Sequence, residues 1–386
     1  MSKLDELIAE LCPDGVEFVT VEEICDITRG RVMSKNYLRE NTGVYPVYSS
    51  QTANNGVFGY INTFDYDCES VTWTTDGANA GSVFYHINEK FSITNVCGLL
   101  RVKNNELVST KFLFYVLQVY AKKYVNDGMG NPKLMSNVMA RISVPLPPLP
   151  VQQEIVRILD KFTELTAELT AELTARRKQY EYYRDLLLTF GNNPDIKWMT
   201  LGEIGPVCMC KRIMKAETSP VGDVPFFKIG TFGKEPDAFI SQEKYDEYRK
   251  AFSFPKKGDI LISAAGTIGR TVIYDGKPAY YQDSNIVWID NDESKVLNKY
   301  LYYCYAMKPW SVSTGGTIAR LYNDNILKAK IPVPPLDEQE RIVAILDRFD
   351  ALCNDLTSGI PAEIEARQKQ YEYYRDKLLS FKEVTA

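Results

Sequence analysis

The chain has 386 residues, 45% hydrophobic and 25% charged, with 45 basic against 50 acidic side chains and a net charge of −5. That length is room for two or three ordinary globular domains, and no apolar run approaches the ~18 residues a membrane helix needs. A single histidine, His86, excludes a His-rich metal site and leaves Ser-His-Asp chemistry one candidate base.

The first twelve residues, MSKLDELIAELC, set acids inside an apolar pattern, which does not read as a secretory leader. Between 15 and 143, short β-type runs alternate with Gly, Asn and Asp. Strands are expected at 45–48, 70–75, 82–85 and 96–102, and an amphipathic helix at 111–124. ESVTWTTDGANAGSVFY (69–85) reads as strand, tight Gly turn, strand. His86 follows Val83-Phe84-Tyr85 and is expected to be a structural histidine at a strand end. The loops concentrate amides and hydroxyls: Ser49, Ser50, Gln51, Asn54 and Asn55, then Thr74, Thr75 and Asn79 at the Gly turn. Asn and Gln can bond adenine bidentately, and Ser and Thr serve bases or phosphates. Asn131 and Lys133 close a Gly-rich stretch, NDGMGNPKL, where a basic side chain suits phosphate or guanine. For each residue alone, an ordinary solvated loop is the better reading; the set is more telling than its members.

At 144 the character changes. VPLPPLP cannot continue a helix but can precede one. Ile155, Leu159, Phe162, Leu169, Leu173, Tyr180, Tyr183, Leu187 and Phe190 then follow in steps of four and three, with Thr166 and Arg176 filling the polar slots. This is a heptad seam, and a straight helix over 152–190 would be roughly 58 Å long. Two tandem Thr-Ala-Glu-Leu units, 166–173, have the look of a length-adjusting element. The Glu164, Glu168, Glu172 column reads as a solvated or partner-facing stripe.

Residues 191–330 repeat the first pattern more loosely and carry 19 basic to 16 acidic residues. Strands are expected at 259–263, 271–274 and 285–289 and a helix at 296–308. GDILISAAGTIGRTVIY (258–274) is again strand, Gly turn, strand. Lys228, Thr231, Thr267 and Arg270 are the candidate polar contacts. Thr314, Thr317 and Arg320 lie on the second Gly-rich stretch, and Arg320 aligns with Lys133 at an offset of 187.

The last segment, 331–386, is a copy of 144–190. IPVPPLDEQERIVAILDRFDAL matches VPLPPLPVQQEIVRILDKFTEL, and RQKQYEYYRDKLLSF matches RRKQYEYYRDLLLTF at twelve of fifteen positions. Its seam runs Ile342, Leu346, Phe349, Cys353, Leu356, Ile360, Ile364, Arg367, Tyr371, Tyr374. Four extra residues make a stutter, and Gly359 and Pro361 predict a break there. Two long helices with like seams most simply pack antiparallel on each other; a homodimeric parallel zipper is the alternative. Faint echoes between the variable parts, such as VTVEEI (19–24) with MTLGEI (199–204), extend the duplication over the whole chain. The expected order is 1–143, 144–190, 191–330 and 331–386. That makes an α+β protein of two mixed α/β domains separated by helices, with an internal pseudo-twofold repeat. The stretch LDELIAELCPDGVEF resembles the junction LLLTFGNNPDIKW, so the repeat is expected to be circular, with 1–12 packing near Phe381.

Catalytic signatures are missing. There is no GxxxxGK[ST] loop, no GxGxxG, no Asn/Asp-Pro-Pro-Tyr tetrapeptide, and no recognisable carboxylate metal set. Cys208 and Cys210 are the only close pair among eight cysteines, without zinc spacing, so reduced thiols in a cytoplasm are expected.

PLPPLPVQQEIVRILDKF and KQYEYYRDLLLTF, each present twice around divergent domains, resemble the DNA specificity subunits of type I restriction-modification systems, and the TAEL units resemble the IC group in particular. The resemblance implies two target recognition domains, each reading half of an asymmetric bipartite DNA site. It implies helices that space them and dock two DNA adenine methyltransferase subunits, and a motor-nuclease subunit beyond those. S-adenosylmethionine, ATP and Mg would then reside on the partners, none on this chain, and the chain would be a non-catalytic, cytoplasmic protein. A stand-alone DNA-binding regulator, or an interaction protein whose loops bind protein, stays open from the residues alone.

Overall fold

The structure is a computed structural model and describes all residues except Met1, Met129, Asn192, 313–318, Thr385 and Ala386. It divides into two compact units, Met1–Thr170 with Glu363–Ala386, and Ala171–Ala362.

In the first unit a six-stranded sheet has the order Cys25–Arg29, Cys97–Val102, Tyr66–Thr74, Val83–Ile93, Tyr45–Tyr48, Val57–Ile61. Every pairing is antiparallel except Tyr45–Tyr48 on Val83–Ile93, which is parallel. The four expected strands are present, and the second and third are longer than the alternation indicated. Helix Thr110–Tyr120 follows, and its buried face, Phe112, Leu113, Val116 and Leu117, shares a core with Val71, Trp73 and Leu100. The Trp73 ring lies over Gly98, where a Cβ would stand 2.1 Å from the indole, so a side chain there would displace the ring. His86 sits inside its strand, not at the end. It is 4% exposed, bonded to Thr72 (Nε2 to Oγ1, 2.8 Å) and Glu89 (Nδ1, 3.2 Å), and stacked on Phe91. Its role is nonetheless structural, and burial lowers its pKa below the ordinary 6.5.

The second unit has a four-stranded sheet, Val207–Cys208, Ile286–Ile289, Ile260–Ser263, Thr271–Ile273, and a smaller one, Phe239–Ile240, Val224–Phe227, Tyr280–Tyr281. Helix Asn298–Ala306 packs on the former through Tyr300, Leu301 and Cys304. Each unit also has a two-stranded sheet at its root. Glu17–Thr20 pairs with Ser143–Leu146 in one, and Lys197–Thr200 with Lys330–Val333 in the other.

The long helix, Leu149–Leu188, is continuous, as the seam predicts. In the first unit Ile155 and Leu159 are fully buried, and Phe162 stacks on Tyr374 (5.6 Å between centroids) and meets Tyr371. In the second unit Ile342 and Leu346 are fully buried, and Phe349 stacks on Tyr183 (5.5 Å) and meets Tyr180. The helices therefore run antiparallel, with each half of the long helix meeting the copy of its own other half. Leu169 and Leu173 are half-buried. Glu164, Glu168 and Glu172 are exposed. The second constant segment breaks as expected, into Leu336–Asn354 and Ile360–Leu378. At Gly359 a Cβ would stand 2.6 Å from the Ala351 carbonyl, so only glycine lets the chain turn back so closely. Thr357 and Ser358 donate to the Asp355 carboxylate across the break and hold it well below the usual carboxylate range. Leu356 departs from its expected seam position. The helix has ended before it, and it is 72% exposed.

The circular closure is present in the first unit. Leu4 and Leu379 share a core against which Phe381 packs, and Val16 N–H donates to the Lys382 carbonyl at 2.9 Å.

Candidate nucleic-acid interface

The duplication is literal where the domains meet the helices. Gln152 is fully buried; it accepts from Ser109 N–H and donates to the Leu107 and Pro147 carbonyls. Gln339, also fully buried, accepts from Leu297 N–H and donates to the Lys295 and Pro334 carbonyls. Beside each glutamine, an aspartate on the constant helix holds a lysine and a tyrosine on the preceding helix. Asp160 takes Lys111 (2.7 Å) and Tyr115 (2.6 Å); Asp347 takes Lys299 (3.1 Å) and the Tyr303 hydroxyl. The two buried glutamine amides, with both Oε1 and Nε2 bonded, specify one packing arrangement. Both tyrosines lie on the helices expected at 111–124 and 296–308.

From these roots each unit projects the same turn. In the first, the Thr74 hydroxyl donates to the Asn79 carbonyl, Ser82 N–H donates to Thr74 Oγ1, and Gly81 N–H to the Thr74 carbonyl. In the second, the Ser263 hydroxyl donates to the Thr267 carbonyl, Arg270 N–H donates to Ser263 Oγ, and Gly269 N–H to the Ser263 carbonyl. The Gly-rich stretches dock on those turns alike. Leu134 N–H meets the Thr75 carbonyl, and Leu321 N–H meets that of Ala264. Gly81 and Gly269 both take positive φ, +79° and +76°, which the tight turn requires.

This frame sorts the candidates. Thr74 and Thr75 are fully buried, and the Thr75 hydroxyl is bonded to Asp76 at 2.6 Å, so both build the turn and neither hydroxyl is on its surface. Asn79, Asn131 and Lys133 are exposed, and Lys133 Nζ lies 3.8 Å from Asp76. Ser49, Ser50, Gln51, Asn54 and Asn55 form a separate loop. Ser49 accepts from the Thr94 hydroxyl, and Gln51 Nε2 donates to the Val57 carbonyl. Asn54 and Asn55 stand exposed at positive φ, 49° and 52°.

In the second unit Thr231 closes its own turn by accepting from Lys228 N–H. Arg270 donates to the Phe232 carbonyl at 2.9 Å, which fixes it against the domain, while Thr267 is exposed. Lys228 and Arg320 line one cleft with Arg212, Gln282, Asp283 and Asn285. Thr314 and Thr317 lie outside the described residues. The sequence reading passed over Arg212 and Lys215, although CKRIMK (210–215) is a visible basic run, and over Gln282–Asn285, which has the same amide-and-hydroxyl character as the 49–55 loop.

Among the described residues no three His, Cys, Asp or Glu side chains gather to hold a metal, and no helix is long and apolar enough to cross a membrane. Burial pushes the Cys97 and Cys304 thiols up to about 12, which makes them poor nucleophiles.

The fold and its paired turns define a protein that presents two recognition modules of one design, each rooted on a helical stem. The chain belongs to the family of the type I restriction modification DNA specificity domain, whose sequence model matches residues 13–176 and again 193–366. It is 46% identical over 382 residues to a putative type I restriction enzyme specificity subunit of Haemophilus influenzae, covering 95% of this chain and 96% of that one. It is 36% identical over 290 residues to the EcoR124I/EcoR124II specificity subunit of Escherichia coli, covering 70% of each. The fold is shared with the type I restriction-modification S subunit from M. genitalium, with TM-score 0.57, 16% identity and coverage of 95% and 96%. The work of this family is DNA target specificity, not catalysis.

Proposed function

We propose that each unit reads one half of an asymmetric, divided DNA site, and that the helices carry two DNA adenine methyltransferase subunits and, through them, a motor-nuclease subunit. The observation that carries this is the repeated turn with unlike side chains on it. Asn79, Ser82 and Lys133 of one unit stand where Thr267, Arg270 and Arg320 stand in the other. One frame presenting two different donor and acceptor sets suits two different half-sites, since sequence is read by base-edge hydrogen bonds in the groove. The net charge of −5 accords with partners supplying much of the phosphate contact. S-adenosylmethionine, ATP and Mg would be bound by those partners, and the complex would work in the cytoplasm. The domains would follow 1–143, 144–190, 191–330 and 331–386.

Replacing residues 15–143 by the equivalent domain of a relative, and sequencing the methylated sites produced with the methyltransferase, tests the reading. One half of the site should change and the other should persist. Alteration of both halves, or methyl transfer by this chain alone, contradicts it.

A further inference from the structure

The cleft of the second unit has a composition that favours a base edge over a phosphate. Arg212 pairs with Asp283 (Nε to Oδ2, 2.8 Å), and Lys228 pairs with Asp237 at 2.9 Å. Two of its cations are therefore already neutralised, and the two carboxylates would face an incoming phosphate. A phosphate cradle gathers donors and excludes carboxylates; this cleft mixes donors with acceptors, as base edges do.

Arg320 differs from Arg212 and Lys228. It donates one hydrogen bond, Nη2 to the Ser284 carbonyl at 2.8 Å, and its guanidinium lies 6.0 Å from the Tyr322 ring centroid. Among the described residues it has no carboxylate partner. Ser284 holds a positive φ of 58°, unusual for a serine, at the point where its carbonyl receives this donor. A planar guanidinium is thus oriented by one contact with most of its five donors unspent. The adjacent Asp283 takes Arg212 and the Ser284 hydroxyl on Oδ2, which among the described residues leaves Oδ1 open to accept. In the major groove a G·C pair offers two acceptors on guanine, N7 and O6, and one donor on cytosine, N4.

Resting on the reading of this chain as a DNA specificity subunit, we propose that Arg320 and Asp283 together read one G·C base pair in the half-site of the second unit. Arg320 takes guanine O6 and N7, and Asp283 accepts from cytosine N4, with Arg212 holding its carboxylate in place. The equivalent position in the first unit, Lys133, lies beside Asp76 instead, so the two units differ at this point.

The full complex with its methyltransferase, acting on genomic DNA and scored by sequencing methylated sites, tests this. Arg320→Ala should make a single G·C position degenerate, with discrimination falling about ten- to a hundredfold. The other half-site should be unchanged. Asp283→Asn, nearly isosteric, should relax the same position, and co-purification with the methyltransferase verifies that each variant is folded. An unchanged site in Arg320→Ala, with affinity lowered equally for all sequences and a shallower salt dependence, would show a phosphate contact and overturn the assignment. Degeneracy in the first unit's half-site would overturn it as well. A wild-type complex that marks no divided site overturns the underlying reading together with this one; an unchanged site in the variants beside normal wild-type marking overturns this one alone.

Discussion

Removing the Gln152 amide measures how strongly a recognition domain is fastened to its helix. The side chain is fully buried and satisfies three backbone groups: Ser109 N–H at 2.8 Å, the Leu107 carbonyl at 2.8 Å and the Pro147 carbonyl at 2.7 Å. Gln152→Ala strands all three. An unsatisfied buried group costs ~1–3 kcal/mol. If water reaches some of them through the space opened, the net loss is still roughly 3 kcal/mol. For a unit of this size that corresponds to a melting shift of about 6–12 °C. Gln339→Ala removes the same three bonds in the second unit and should cost a similar amount. Gln152→Glu keeps the shape but turns a carboxylate toward two carbonyls. It should be at least as harmful at neutral pH and partly recover in acid, where a protonated carboxyl can donate again. Thermal and urea unfolding of the three variants beside wild type supplies the comparison. Shifts below about 2 °C in both alanine variants would refute the reasoning, since groups so thoroughly buried would then have found other partners. A large loss at Gln152 with none at Gln339 would show that the duplicated bonds are not energetically equivalent.

Inserting one more Thr-Ala-Glu-Leu unit after Leu173 should extend the helix by about 6 Å. At ~3.4 Å per base pair the gap between half-sites should grow by one or two base pairs with both half-sites unchanged, read by sequencing methylated sites; a two-residue insertion should disrupt the seam. Burial keeps His86 neutral in the fold while the unfolded chain protonates near 6.5, so stability should be full above that pH and decline as pH falls below it. The decline should be smaller in His86→Gln if the substitution folds, as urea midpoints across pH 5–8 would record. Lys133→Ala should weaken DNA binding by the complex and, if Lys133 meets phosphate, lower the salt slope by about one unit; binding and slope both unaltered in a salt titration would place the lysine in solvent.

Much of the architecture was legible in the residues because it is periodic and repeated. The four-and-three spacing from Ile155 to Phe190 suffices for a continuous helix, because an apolar stripe at that period has only one way to be buried. Copying it after 331 calls for an antiparallel partner, and Gly359 with Pro361 marks the break. Positions such as Leu356 were misjudged because seam spacing alone does not show where the helix stops. The recognition surface was less legible. Thr74 and Lys133 are 59 positions apart by number but fold onto one turn, and no local pattern tells that the Thr74 hydroxyl points inward while Lys133 stays out. Nothing in the local pattern around Gln152 and Gln339 shows that both amides are buried and fasten each domain to its helix. Arg212, Asp283 and Arg320 come from three distant segments and line one cleft only in the folded chain. Hydrophobic period and repetition are properties of neighbours in the chain, so the sequence determined the helices, the duplication and the family. Which polar groups are spent inside, and which stay exposed, depends on contacts between distant segments, and the tertiary structure alone decided that.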